Sequence, residues 1–339
     1  MIIRTQSHAR AGLVGNPSDG YFGKTISFIV RNYTAEVELW ETPELEILPA
    51  ARDHSTFPSL EALRQDVAWF GYYGGVRLLK GTIKRFYDYC LEQGISLPNR
   101  NFTLRYQSNI PSQVGMAGSS AIITAALRAL MTFYEVSIPK AIQANLILSV
   151  ENDELKIPAG LQDRVIQAFE GVVFMDFNRK IMDHQRHGHY EELAPSLLPP
   201  LYVAFHHHLS EGTEVFHNDI RGRFNRGERE VVDAMQQWAE LAQKTRDLLL
   251  AGRGSEIGPL LDANFDLRKR LYRISDGNLR MVDAARSVGA TAKFTGSGGA
   301  IVGTFEDEAM FDRLTAALDP LGMTVIKPII VKDDDAHAA

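Results

Sequence analysis

The sequence predicts an α+β protein of two domains, on three observations. The chain has 339 residues, more than one hydrophobic core usually organises. Its first half alternates short strands with helices. Its second half, entered through a proline-rich stretch, reads strand, helices, strand, strand, helix, strand, which is the split βαβ, ferredoxin-like order.

In the first half, Ile26, Phe28 and Val30, then Ala35, Val37 and Leu39, alternate with other residues at period two and predict paired strands. Phe102, Leu104 and Tyr106 do the same and belong to the same sheet. Val76, Leu79, Ile83, Phe86, Tyr87 and Cys90 recur at steps of three and four, which places them on the buried stripe of a helix ending near Gly94. Cys90 is then a packing residue.

The stretch LAPSLLPPLYVAF, residues 193–205, is a linker that becomes a strand, so a domain boundary is expected near residue 195. The expected domains are 1–194 and 195–332. The segment 228–250 is an amphipathic helix with Val232, Met235, Trp238, Leu241, Ala242 and Leu249 on one face. Further helices are expected at 259–272 and 279–288, the latter stopped by Gly289 in a left-handed cap. Strands at 291–295 and 300–305, a helix at 307–319 and a strand at 323–331 complete the pattern. The tail 333–339 has nothing to bury and is expected to be disordered.

Composition narrows the partners. A formal charge of -6 gives no whole-chain reason to expect nucleic acid or an anionic membrane as partner. The single cysteine fits a reducing compartment, the N-terminal residues lack a signal-peptide hydrophobic region, and no apolar run is long enough to span a bilayer. A soluble, cytoplasmic protein, monomer or homodimer, is the expectation.

Three segments carry chemistry. In PSQVGMAGSSAIITAALRALMTFY, residues 111–134, a helix with Ile122, Ala125, Ala126, Leu130 and Phe133 on its buried side follows Gly115, Ala117, Gly118, Ser119 and Ser120. A flexible loop thus delivers backbone amides at a helix N-terminus, an anion cradle, and a serine hydroxyl can serve as a hard oxygen ligand for magnesium. The spacing is neither that of a Walker A loop nor that of a Rossmann fingerprint; a plain glycine-rich helix cap is the other reading. In AKFTGSGGAIVG, residues 292–303, Gly296, Ser297, Gly298 and Gly299 exceed what a hairpin requires, and a nest of amides facing a phosphate explains the excess. In ARAGLVGNPSDGYFGK, residues 9–24, Arg10, Asn16, Ser18, Asp19 and Lys24 cluster beside glycines, a set suited to a polyhydroxylated substrate or to an Asx turn.

In this order and at these separations the three segments resemble the three motifs of the GHMP kinases, the family of galactokinase, homoserine kinase, mevalonate kinase and phosphomevalonate kinase. The resemblance implies a ribosomal-protein-S5-like N-terminal domain, a ferredoxin-like C-terminal domain, ATP as co-substrate and Mg2+ as cofactor. It assigns ATP phosphates to Gly115, Ala117, Gly118, Ser119 and Ser120, the magnesium to Ser120 and Glu151, and the catalytic aspartate to Asp163 in IPAGLQDRV. Without the motifs Asp163 reads as a helix first-turn carboxylate. Arg10, five residues before Gly15, holds the family's basic position and is expected to pair with Asp163. Asn16 and Pro17 stand where galactokinases carry glutamate and histidine, which argues against a galactokinase substrate set.

The GNPSD version of the first motif, with YYGGVRLL at 72–79, AGLQDRV at 159–165 and KFTGSGGA at 293–300, resembles the family's glucuronokinase branch. That implies phosphorylation of a sugar acid, D-glucuronate, at its anomeric hydroxyl, with Asn16, Ser18, Asp19 and Gly296 to Gly299 around the substrate. Arginine's planar fork best matches a carboxylate, and IRGRFNRG supplies Arg221, Arg223 and Arg226 while NFDLRKR supplies Arg268 and Arg270; Arg221 and Arg268 are the chosen candidates, solvated helix charge being the alternative. His206, His207 and His208 alternate in direction at a strand end and do not form a chelate. The competing functions are a GHMP kinase for galacturonate or a heptose phosphate, and a non-catalytic binding protein on the same scaffold.

Overall fold

Period-two patterning sets up the first sheet, but the two strands expected at 26–30 and 35–39 are one continuous strand. In the computed structural model, which describes residues 2–50, 53, 58–70, 74–206 and 220–331, β1 (Ile2–Val14) pairs with β2 (Lys24–Thr42), and β2 holds both expected segments. Residues 31–34 do not turn, and their backbone groups find partners outside the strands: Arg31 N–H donates to the Ile329 carbonyl and Thr34 N–H to Asn109 Oδ1. His207, His208 and the tail 333–339 lie outside the described residues.

The chain falls into two compact units that alternate along the sequence. The first comprises the described residues within Met1–Ala9, Tyr33–Ile110 and Ala117–Ala168. Here β4 (Asn101–Ser108) runs antiparallel to the second half of β2, with Val37 opposite Tyr106 and Leu39 opposite Leu104, and parallel to β3 (Glu46–Leu48). The helices are α1 (Leu60–Phe70), α2 (Gly75–Glu92), α3 (Gly118–Phe133), α4 (Lys140–Ser149) and α5 (Leu161–Phe169). On α2 the buried stripe is Leu78, Leu79, Thr82, Phe86 and Cys90, so Cys90 packs as expected. Tyr87 departs from the expectation and is 53% exposed; it lies about 100° round the helix from Phe86, off the stripe. α3 is buried on nearly every side, which is why its sequence is apolar all round and not amphipathic.

The second unit comprises the described residues within Arg10–Asn32, Pro111–Met116 and Phe169–Ala339. The first half of β2 pairs antiparallel with β5 (Val172–Asp176), and β5 with β6 (His189–Leu193), flanking the short α6 (Arg179–Gln185). A second sheet has the order β10–β7–β9–β8, all antiparallel: β7 is Leu201–His206, β8 Lys293–Phe294, β9 Ala300–Thr304 and β10 Met323–Ile326. Counted along the chain, the strand order is fourth, first, third, second, the predicted ferredoxin-like arrangement. The helices are α7 (Arg229–Leu250), α8 (Gly258–Leu271), α9 (Asp276–Ser287) and α10 (Glu308–Leu318).

Two apolar clusters hold this unit. Tyr202, Phe265, Met281, Val282, Phe294, Ile301, Leu314 and Leu318 fill the space against the sheet. Tyr21, Ile220, Val231, Met235, Trp238, Leu267 and Tyr272 form the second cluster, which seats the loop after β1. Val231 and not Val232 points inward on α7, one position off the expected face. Gly289, at φ +91°, ends α9 in the left-handed region as anticipated. The last strand stops at Ile326, short of the predicted 331.

Candidate active site

Three glycine-bearing segments meet within the second unit, and a buried arginine joins them. Arg10, on β1, donates from Nη1 to the carbonyls of Gly115 (2.5 Å) and Thr295 (3.2 Å), while its backbone N–H donates to the Met116 carbonyl. Thr295 Oγ1 also donates to the Gly115 carbonyl at 3.1 Å. Gly115 has φ +70°, and a Cβ there would come within 3.0 Å of the Gly298 carbonyl and 3.2 Å of the Ser297 nitrogen. Glycine is therefore required twice over, by conformation and by contact.

The Gly296 to Gly299 loop is held from the other side. Arg268, on α8 and only 5% exposed, donates to the carbonyls of Gly296 (2.8 Å) and Ser297 (3.0 Å). In a trans peptide the N–H is antiparallel to the C=O, so this clamp turns the Ser297 and Gly298 N–H groups away from Arg268. Asn278 Oδ1 accepts the Gly299 N–H at 2.9 Å. Arg268 thus orients the amides of this loop, a task the sequence does not disclose.

The loop after β1 rests on a buried lysine. Lys293, 1% exposed, donates to the Gly12 carbonyl at 2.6 Å and to Asn16 Oδ1. Asn264 completes the support: its Oδ1 accepts the Gly15 N–H at 2.7 Å and its Nδ2 donates to the Asn16 carbonyl. Ser18 is fully buried and donates to the Lys24 carbonyl. Asn16 and Ser18, expected at the substrate, both build the loop that carries Asp19.

Burial pushes the Lys293 ammonium well below its ordinary pKa, and the charges of Arg268 and Arg10 push the same way. A cation whose folded pKa is depressed binds fewer protons folded than unfolded, so stability rises with pH from the folded value up to the ordinary lysine value of about 10.4. The thermal midpoint of the wild type should therefore gain on that of Lys293→Met as pH rises from neutral toward 10. Parallel pH profiles for the two proteins would remove Lys293 as the source of the slope.

Beside this loop lie Tyr21, Phe224, Tyr272, Arg221 and Arg268. Tyr21 meets Phe224 edge-on at 4.9 Å, and the Arg221 guanidinium sits 4.9 Å from the Tyr21 ring centre. Burial raises the Tyr21 phenol above its ordinary pKa, Arg221 opposes the rise, Asp19 adds to it and Arg268 opposes it. Arg223 is engaged by Glu228 and Glu230, and Arg226 by Glu228.

In the first unit, the residues expected to hold phosphate and metal surround the start of α3. Ala117 is left-handed (φ 61°), its carbonyl accepting from Gln167 Nε2 at 2.9 Å, and the chain enters α3 at Gly118. A Cβ on Gly118 would meet only Ile110, at ordinary contact distance. Ser120 is fully buried with its hydroxyl 3.2 Å from the Ala117 carbonyl. Glu151 sits on a π-helical turn, Val150–Glu154, that continues α4; such turns often mark functional positions. Its carboxylate, 1% exposed, accepts from Ser119 Oγ at 2.8 Å and from Arg164 Nε at 2.7 Å. Asp163 stands in the first turn of α5, 3.2 Å from Arg164 Nη1. Arg164 therefore contacts both acids.

Reasoning from sequence missed Arg164, Lys293 and Asn264. Arg164 is adjacent to Asp163 in the chain, and that adjacency was the one available signal. Among the described residues no group of three or more His, Cys, Asp or Glu could hold a metal by itself. A hydroxyl and one carboxylate nonetheless suit magnesium, which takes few protein ligands and fills the rest with water and phosphate oxygens.

Comparison with known proteins agrees with this organisation. Residues 77–171 match the model of the GHMP kinases N terminal domain. The chain is 44% identical over 306 residues to Glucuronokinase 1 of Arabidopsis thaliana, covering 88% of this chain and 84% of that one. It is also 44% identical over 308 residues to Probable glucuronokinase 2 of the same plant, covering 89% and 84%. The crystal structure of the Methanococcus jannaschii mevalonate kinase aligns with a TM-score of 0.71 at 20% identity over 98% of both chains, a likeness of fold. With a relative so similar over most of its length and the family's two-domain α+β fold, this chain belongs to the GHMP kinase family.

Proposed function

We propose that the protein transfers the γ-phosphoryl group of ATP to the anomeric hydroxyl of D-glucuronate, giving ADP and glucuronate 1-phosphate. Family membership makes it a phosphotransferase with an alcohol group as acceptor; the sugar acid is our reading. The observation that carries it is electrostatic. In a chain of net charge -6, three arginines, Arg10, Arg268 and Arg221, gather around the glycine segments of the second unit. A site so positive suits a nucleotide triphosphate together with an acidic sugar.

In this reading the amides at the start of α3 receive phosphate oxygens. Ser120 and Glu151 are the residues that hold magnesium, whose chemistry is to neutralise phosphate charge. Asp163 takes the proton of the sugar hydroxyl as its oxygen bonds to the γ-phosphorus and the bond to the β,γ-bridging oxygen breaks. Arg10 fixes the loop geometry. A division into domains 1–194 and 195–332 and a cytoplasmic location complete the proposal; no helix among the described residues is long and apolar enough to cross a membrane.

A coupled ADP-release assay over a panel of sugars tests the proposal. Glucuronate should exceed glucose strongly in kcat/KM, because a neutral sugar forgoes a charge-assisted pair worth about 1.5–3 kcal/mol, on the order of ten- to a hundredfold. Galacturonate, which keeps the carboxylate, should fall between them. Equal rates with glucuronate and glucose would sink the acid-sugar reading and leave the kinase. No ADP with any uronate or neutral sugar would favour a binding protein.

A further inference from the structure

Two arginines were candidates for the substrate carboxylate, and their surroundings separate them. Arg268 is buried and spends guanidinium donors on the Gly296 and Ser297 carbonyls, with its plane near the rings of Tyr272 and Phe294. Arg221 is exposed and stacks on the Tyr21 ring. Among the described residues it makes no hydrogen bond and has no carboxylate within ion-pair distance, unlike Arg223 and Arg226 beside it. Its Nη2 lies 3.0 Å from the point a Cβ on Gly20 would occupy, so the guanidinium rests against the loop that carries Asp19.

The geometry points to Arg221 as the specificity residue that receives the carboxylate of a hexuronate, with Arg268 acting only on the loop backbone; this rests on the sugar-acid reading above. Three features support the choice. Its place over the Tyr21 ring holds the guanidinium beside the loop, and its fork suits a planar bidentate partner. Gly20 admits the guanidinium to the loop where a side chain would press on it. Tyr21 and Phe224 form an aromatic wall beside the fork. A carboxylate at the far end of the sugar, away from the anomeric hydroxyl, uses all three.

The test compares wild type, Arg221→Gln, Arg221→Lys and, as a control, Arg229→Gln, a side chain 93% exposed on α7. Each is assayed with glucuronate, glucose and glucose 6-phosphate as acceptors. Arg221→Gln should raise KM for glucuronate about 30- to 100-fold with kcat changed less than about threefold, so that the preference over glucose collapses by the same factor. The ATP KM and the thermal midpoint should stay at wild-type values, and Arg221→Lys should recover part of the preference. Arg229→Gln should change nothing. An unchanged glucuronate-to-glucose ratio in Arg221→Gln overturns the assignment while the wild-type activity stands. Equal loss on glucuronate and glucose with a lowered thermal midpoint overturns it too, as a structural effect. A wild type that prefers glucose 6-phosphate, or uses no uronate, overturns the sugar-acid reading itself and the Arg221 assignment with it.

Discussion

Replacing Asp163 by asparagine should lower turnover by about a hundredfold or more while the fold and nucleotide binding persist. The substitution keeps shape and removes only the negative charge and the ability to take a proton. Asp163 lies in the first turn of α5 with a side chain 20% exposed, so no core packing depends on it. Its neighbour Arg164 stays anchored by Glu151 and the Gly160 carbonyl, so the local backbone has no reason to move. Thermal stabilisation by ATP with magnesium should match the wild type, and single-turnover rates with glucuronate should carry the whole loss. A loss of only a few fold would show that Asp163 orients the hydroxyl without accepting its proton. Wild-type turnover would remove it from the chemistry.

The fold was legible wherever a face is buried. The period-two runs in β2 and β4 and the 3.6-residue stripes of α2 and α7 follow from burial alone, and the order of elements after residue 200 specifies the second sheet. What escaped depends on distant partners. Residues 31–34, RNYT, read as a break because the partners of their polar side chains, the Ile330 carbonyl for Arg31 and the Lys327 carbonyl for Asn32, are far away in sequence. The tyrosine at 87 was assigned by spacing to a stripe that runs from Leu78 to Cys90 but passes it by about 100° of helix turn.

The candidate site divides in the same way. Glycine loops announce themselves, because few other residues tolerate Gly115's conformation or the approach of Gly298. Lys293 does not, since within AKFTGSGG it reads as a solvated strand lysine; its burial depends on Gly12 and Asn16, more than 270 residues earlier. Two adjacent serines on a helix differ by about 100° in direction. The sequence could not say that Ser119, and not Ser120, hydrogen-bonds Glu151. Nor could it separate Arg268, a backbone clamp, from Arg221.

Arg164→Met should be the most destabilising of the site substitutions, by about 3–5 kcal/mol. Glu151 is 1% exposed; its Oε2 accepts from Arg164 and its Oε1 from Ser119. Methionine fills much of the volume but leaves a carboxylate inside the protein without its counter-charge. The penalty therefore belongs mainly to Glu151, which makes the explanation testable by a second change. If the stranded charge is the cause, Glu151→Gln in the Arg164→Met background should restore part of the lost stability, giving a double variant more stable than Arg164→Met by itself. Urea midpoints for the four proteins of this cycle measure the coupling. A double variant no more stable than Arg164→Met would mean that the arginine acts through packing on α5. An Arg164→Met protein within about 1 kcal/mol of wild type would mean that water already reaches Glu151 and answers its charge.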